Sequence, residues 1–209
     1  MDCKITKRIL LLICLASFAC INQASAGCYD KRTPDVDWSG CKKTNKMLDD
    51  SNFNGASFIK INLTRSTLTS TKFYKSDLSK AVGYRANFDE AVVKESNMTK
   101  SEFSRASFKD AELTDVDWSK SELGRVDFTG ASLNRVNFEF SNLSRVRFTD
   151  ARITEVNFKG AYTFRTRFED VDLRGTLNLH QLHLKLACGN ENTQLPEGLS
   201  MPDNWPCTE

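Results

Sequence analysis

Histidine is nearly missing from this chain: His180 and His183 are the only two in 209 residues. A proton shuttle working near neutral pH is most often a histidine, so this pair leaves little room for acid–base catalysis. Also missing are a paired-carboxylate signature, a glycine-rich phosphate loop and a nucleophile elbow. Serine and threonine are plentiful, but no activating base accompanies them. A metal centre could draw on His180, His183 and Cys188. Zinc sites take four ligands, or three and a water, and no fourth side chain is at hand. The chain is therefore read as non-enzymatic, with no catalytic residue, no metal and no cofactor.

Net charge is lacking too. Lys and Arg number 29 against 27 Asp and Glu. The first 26 residues hold Lys4, Lys7 and Arg8 against Asp2, so the rest of the chain balances at 26 of each sign. General nucleic-acid affinity needs a basic excess that displaces counterions, so no nucleic-acid partner is expected.

No apolar run approaches the roughly 20 residues that span a bilayer. The longest, Ile9 to Ile21, follows the basic residues and precedes Ala24-Ser25-Ala26. A positive start, an apolar centre and a small-x-small end predict a secretory signal peptide over residues 1–26, cleaved before Gly27. The mature protein is then periplasmic or secreted, with no membrane span. A lipoprotein anchored at Cys28 is disfavoured, because Ser25 stands where a lipidation signal carries a Leu-like residue. Cys3, Cys14 and Cys20 leave with the leader. Cys28, Cys41, Cys188 and Cys207 remain, and an even number in an exported chain implies disulfides. Three pairings are open.

What the sequence does contain is a period of five. From Phe53 to Leu173, every fifth residue is large and apolar at 23 of 25 positions; Gly83 and Thr163 are the exceptions. Two residues before each of these centres stands a small or β-branched residue, from Ser51 to Val171. Neither a helix, at 3.6 residues per turn, nor a strand, at 2, accounts for that spacing. It fits a coil in which each five-residue unit makes one side and turns a corner. The large residue then points inward, the small one fills the space beside it, and three face out.

A second period gives the number of sides. Arg65, Arg85, Arg105, Arg125, Arg145 and Arg165 recur every 20 residues, as do Lys60, Lys80, Lys100 and Lys120, and Phe88, Phe108, Phe128, Phe148 and Phe168. Twenty residues per coil means four sides.

Segments such as Ala131-Ser-Leu-Asn-Arg and Val136-Asn-Phe-Glu-Phe resemble the Ala-(Asp/Asn)-(Leu/Phe)-x-x unit of the pentapeptide-repeat proteins. The resemblance implies an all-β solenoid, a right-handed quadrilateral β-helix. Its 25 units make about six coils, a stack roughly 30 Å long at strand spacing. The expected organisation is an N-terminal cap over 27–47, the solenoid over 48–176, and a C-terminal cap helix and wrapped tail over 177–209. Val36-Asp-Trp-Ser-Gly-Cys41 resembles the entry segment of exported members, and Trp38 is in phase with the later centres, so a first coil is expected to begin there, with Cys41 in the small column. Leu179, Leu182 and Leu186 lie near helical spacing before Gly189, a helix stop. The tail from Ala187 to Trp205 resembles that of many family members. Disulfide Cα atoms lie within about 7 Å, so a stack of this length pairs Cys28 with Cys41 and Cys188 with Cys207.

Two expectations concern side chains. Gly83 and Thr163 are read as packing defects partly filled by Tyr84 and Phe164. The Arg65-to-Arg165 column is read as pairing with the largely acidic column Ser70, Glu90, Asp110, Gly130, Asp150, Asp170 in a surface ion-pair lattice. The same Arg column is the candidate binding stripe for an anionic partner, because Arg grips carboxylate or phosphate in bidentate fashion. The function that fits is an exported binding or scaffold protein facing a protein or an envelope polyanion, its oligomeric state open. An exported effector is a variant of that reading. Some pentapeptide-repeat proteins protect DNA gyrase by DNA mimicry; export, neutral charge and the Arg column disfavour it here.

Overall fold

The computed structural model describes residues 27–207; the signal peptide expected over 1–26 lies outside the described residues. The chain winds as a four-sided solenoid in which residue n bridges residue n+20. One side shows this end to end, with parallel rungs at Asp37, Ser57, Asp77, Asn97, Asp117, Asn137, Asn157 and Leu177. On another side the pairing widens into a five-stranded parallel sheet: β1 (Lys72–Tyr74), β2 (Val92–Lys94), β3 (Glu112–Thr114), β4 (Ser132–Asn134) and β5 (Arg152–Thr154). The register is 20 throughout, with Phe73, Val93, Leu113, Leu133 and Ile153 aligned.

The five-residue unit has a physical reason at each position. The centre is buried, as is the small residue two before it. The residue between them is often Asn or Asp, whose Oδ1 accepts the backbone N–H two residues on: Asn62 from Thr64 (3.0 Å), Asp77 from Ser79 (2.8 Å), Asn142 from Ser144 (3.0 Å). Asn side chains also link neighbouring coils, Asn157 donating to Asn137 (2.9 Å) and Asn137 to Asp117 (3.0 Å). The last residue of the unit turns the corner with positive φ, such as Arg105 at 63° and Arg125 at 64°. At most corners the next small residue donates its N–H back to the centre, as Ala91 does to Phe88 (3.1 Å). Positive φ at the third turn residue alone is the type II arrangement. Glycine relieves it at Gly55 and Gly130, where φ is 70° and 72°. Elsewhere unbranched or Asn/Asp side chains accept the αL strain, and the ladder holds them there.

Inside, the aromatic centres form stacked columns. Phe88 and Phe108 lie 4.7 Å apart at 7°, Phe128 and Phe148 5.3 Å at 8°, and Phe148 and Phe168 5.4 Å at 6°. A second column runs through Trp118, Phe138 and Phe158 and meets the first edge-on, as Phe138 does Phe148 (6.0 Å, 64°). These rings are fully buried; each removes apolar area from water at about 25 cal/mol per Å².

Four expectations change. The first rung is Asp37, so the coil expected at Trp38 forms within the cap segment 27–47, and Asp37 to Leu177 spans seven 20-residue steps rather than about six. Gly83 is no void: a Cβ there would lie 2.3 Å from the Phe103 ring, so the next coil's own centre fills the space. Thr163 is fully buried and its hydroxyl donates to the His183 carbonyl (2.9 Å), which the cap supplies. Tyr84 and Phe164 sit one position past the centre, where the chain points outward, and Phe164 stays 39% exposed. The cap helix, α1 (Gln181–Leu186), is shorter than the Leu179-to-Leu186 spacing implies. Fewer than two turns touch the stack, so His183 and Leu184 are buried while Leu182 is 67% exposed. Gly189 is required by contact instead of helix termination: its missing Cβ leaves room for Trp205, which a Cβ would meet at 2.2 Å.

The disulfides are Cys28–Cys41 and Cys188–Cys207, each with Cα atoms 5.4 Å apart. After α1 the chain rejoins the ladder, Cys188 bridging Arg167 and Gln194 bridging Asp172. The tail folds over that end, with Trp205 Nε1 donating to the Ala187 carbonyl (2.8 Å).

Candidate functional site

The four corners differ in charge. One is mixed in sign, Lys75, Glu95, Asp115, Arg135, Glu155, and its members pair along the stack: Arg135 reaches Asp115 with two bonds (2.6 and 2.7 Å) and Lys75 lies 3.7 Å from Glu95. The Arg135 hydrogen bonds hold the Asp115 carboxyl below its ordinary range. Another is the acidic column of Glu90, Asp110, Asp150 and Asp170. The remaining two are Lys60 to Lys120 and Arg65 to Arg165, and they bound one side of the solenoid between them.

The expected lattice between the Arg and acid columns does not form. No ion pair joins any of the six arginines to an acid among the described residues. The reason is geometric: the two columns occupy adjacent corners a whole five-residue side apart. The described ion pairs run mostly between coils, such as Arg147 to Asp127 (3.1 Å) and Lys159 to Glu139 (2.7 Å). Successive Arg corners rise about 4.8 Å per coil, a repulsion of about 1 kcal/mol per neighbouring pair even in water.

The residue preceding each Arg sorts the column. Arg85 lies over the Tyr84 ring (5.2 Å) and Arg165 over Phe164 (5.7 Å). Between them the same position holds Ser104, Gly124 and Ser144, so Arg105, Arg125 and Arg145 have no ring to lie on. A shallow groove of about 410 Å³ opens there, on the side shared with the Lys corner. Tyr162 and Phe164 close its C-terminal end, their rings 6.2 Å apart and nearly parallel at 12°. A second groove of about 430 Å³ lies across the Arg corner, towards Cys188 and Cys207. Its further arginines are engaged, Arg147 with Asp127 and Arg167 with Glu169 (2.9 Å). Burial pushes the Asp127 carboxyl up, but bonds from Thr129 and the charges of Arg147 and Lys109 outweigh it and leave it lowered.

The period of 20 marks the Arg column but not Tyr162. The signal was there: in the other coils that outward position is Asn62, Val82, Glu102, Glu122 and Asn142, so an aromatic is out of pattern.

The two histidines serve the cap. His183 Nδ1 accepts the His180 N–H (2.9 Å), and Cys188 is committed to its disulfide. Burial, then the neighbouring His180, lowers the His183 pKa against the opposing backbone bond. The folded protein thus holds His183 neutral where the unfolded chain would protonate it. Stability is full above the unfolded value of about 6.5 and falls with acidification until the folded pKa is passed. Thermal melts from about pH 7.5 to about pH 5 should show this loss at the cap, and His183→Gln should flatten that part of the profile.

No curated protein matches the chain. Among solved structures, a trypsin-treated variant of QnrB1, a plasmid-mediated fluoroquinolone resistance protein, matches with a TM-score of 0.62 at 17% identity, over 83% of this chain and 89% of that one. Full-length QnrB1 matches with a TM-score of 0.55 at 16% identity, over 77% and 88%. At such identities the likeness is one of fold. The model for pentapeptide repeats (8 copies) matches residues 48–82, and that for the pentapeptide repeat region matches 101–177. Together they cover more than half of the sequence, over the stretch where every fifth residue is a buried centre. The chain belongs to the pentapeptide-repeat family.

Proposed function

We propose that this protein is an exported, non-catalytic binding module of the cell envelope or extracellular space, and that its Arg65-to-Arg165 corner receives a polyanionic partner. The observation that carries the reading is that Arg105, Arg125 and Arg145 stand in line without an acid or a ring to engage them, whereas Lys75, Arg135, Arg147, Lys159 and Arg174 each pair with an acid. A column of like charge raises the energy of the free protein, and an anion spanning several coils relieves it. The corners are fixed by backbone turns on a continuous ladder, so little order is lost on binding. Two disulfides support export.

The QnrB1 likeness raises topoisomerase protection as the alternative, but it rests on fold alone, and an Arg corner presents the sign opposite to a nucleic-acid mimic.

The test is retention on immobilised inorganic polyphosphate, wild type against Arg105→Gln, Arg125→Gln, Arg145→Gln combined. Glutamine keeps an unbranched stem at each αL corner and removes the charge. Wild type should bind at low salt and elute as salt rises; the triple variant should bind at least about tenfold more weakly. Equal retention of the two proteins rejects the reading.

A further inference from the structure

The groove beside the Arg ladder contains more than charge. Its floor is Ser104, Gly124 and Ser144, one per coil, and its lining includes Arg105, Arg125 and Arg145 but no carboxylate. Lys80, Lys100 and Lys120 stand at the opposite corner of the same side. Glu122, on that side, already accepts a bond from Asn142 (2.9 Å). Glu102 lies on that side too, so the positive field is strongest along the Arg edge, where the groove lining holds three arginines and no carboxylate.

At one end stand Tyr162, 50% exposed, and Phe164, 39% exposed, stacked on each other above the surface. Two large rings held half open to solvent, with only Arg165 among the described residues lying over Phe164 (5.7 Å), are an unusual use of aromatic area. A bare phosphate chain has nothing to gain from them. A sugar ring does, because a pyranose presents a face of C–H bonds that packs on an aromatic ring while its hydroxyls remain free. Serine hydroxyls and the Asn142 amide border the path those hydroxyls would take.

Resting on the polyanion reading above, we infer that the ligand is a linear acidic polysaccharide, a chain of uronate residues, lying along the groove from Ser104 to Phe164. Its carboxylates face Arg105, Arg125 and Arg145, and one sugar ring packs on the Tyr162–Phe164 pair. The rise of about 4.8 Å per coil is close to the length of one pyranose in an extended chain, so the polymer stays in register with the coils and the carboxylates on its Arg-facing edge fall at the level of arginines. Glycine at 124 keeps the floor low: a Cβ there would come within 3.4 Å of the Ser144 hydroxyl and stand into the groove.

The experiment uses the oxidised full chain and three probes: polymannuronate, inorganic polyphosphate and a neutral mannan. Binding is measured by affinity electrophoresis and calorimetry for wild type, the Arg-to-Gln triple variant, Tyr162→Ala with Phe164→Ala, and Phe164→Tyr. Wild type should bind polymannuronate and not the neutral mannan. The alanine pair should weaken polymannuronate by about tenfold and leave polyphosphate within about twofold. Phe164→Tyr keeps a ring and should retain affinity, which separates lost stacking from a lost fold. Polyphosphate binding without polymannuronate binding overturns the saccharide inference and leaves the ladder reading standing. Failure to bind either overturns both. An alanine pair that weakens the two polyanions equally, or neither, overturns the role of the rings.

Discussion

Phe128→Ala should cost about 3–5 kcal/mol and break the stack at its middle, whereas Trp118→Phe should be nearly neutral. Phe128 is fully buried, with Phe148 stacked on one face at 5.3 Å, Phe108 on the other at 5.5 Å, and Trp118 and Phe138 at its edges. Truncation opens a cavity that the ladder cannot close, because bonds at 20-residue register fix the coils above and below. Contacts in a solenoid run only to neighbouring coils, so the damage should divide the protein into two weakly coupled halves. Trp118 is the control on the other side of the core. Its Nε1 is buried without a hydrogen-bond partner, a standing cost that phenylalanine removes. The smaller ring forfeits some packing in return. Calorimetry of both variants checks the pair. A single cooperative transition with an unchanged midpoint for Phe128→Ala would show that the column is not a chain of coupled contacts.

The Phe column was legible in the sequence because inward-facing positions recur at a fixed step, and a step of 20 could only mean four sides. The contacts that depend on what lies one coil away were less so. Gly83 reads as a hole along the chain, yet Phe103, at n+20, fills it. The Arg and acid columns are five residues apart and look like partners, but a whole side of the solenoid separates them. The start of the solenoid was legible in part: Trp38 and Cys41 stand in phase, while cysteine and Pro34 nearby give the same segment the composition of a cap. Of the candidate groove, the Arg side was visible as a series. The aromatic pair was not, because Tyr162 and Phe164 look like repeat noise until the turn is seen to expose them.

Cys188→Ser with Cys207→Ser should lower stability by about 3 kcal/mol and release the C-terminal cap while the first coils stay folded. The bond closes a separation of 19 residues, and opening it restores that loop's freedom to the unfolded chain. The local consequence is larger than the number suggests. Trp205 is held on Gly189 and donates to Ala187 within this loop. The segment it covers supplies the last rungs, Cys188 to Arg167 and Gln194 to Asp172. Loss of those rungs bares a parallel β edge, the surface on which other chains add strands. Hydrogen exchange should therefore quicken first around Val171 and Leu173 and leave the coil of Phe53 to Leu68 protected. Light scattering should rise with protein concentration in the variant alone. Equal exchange along the whole chain would mean that the solenoid opens as one unit and that the cap is no more than an appendage. Unchanged exchange at Val171 would mean that the Trp205 contact seals the end without its disulfide.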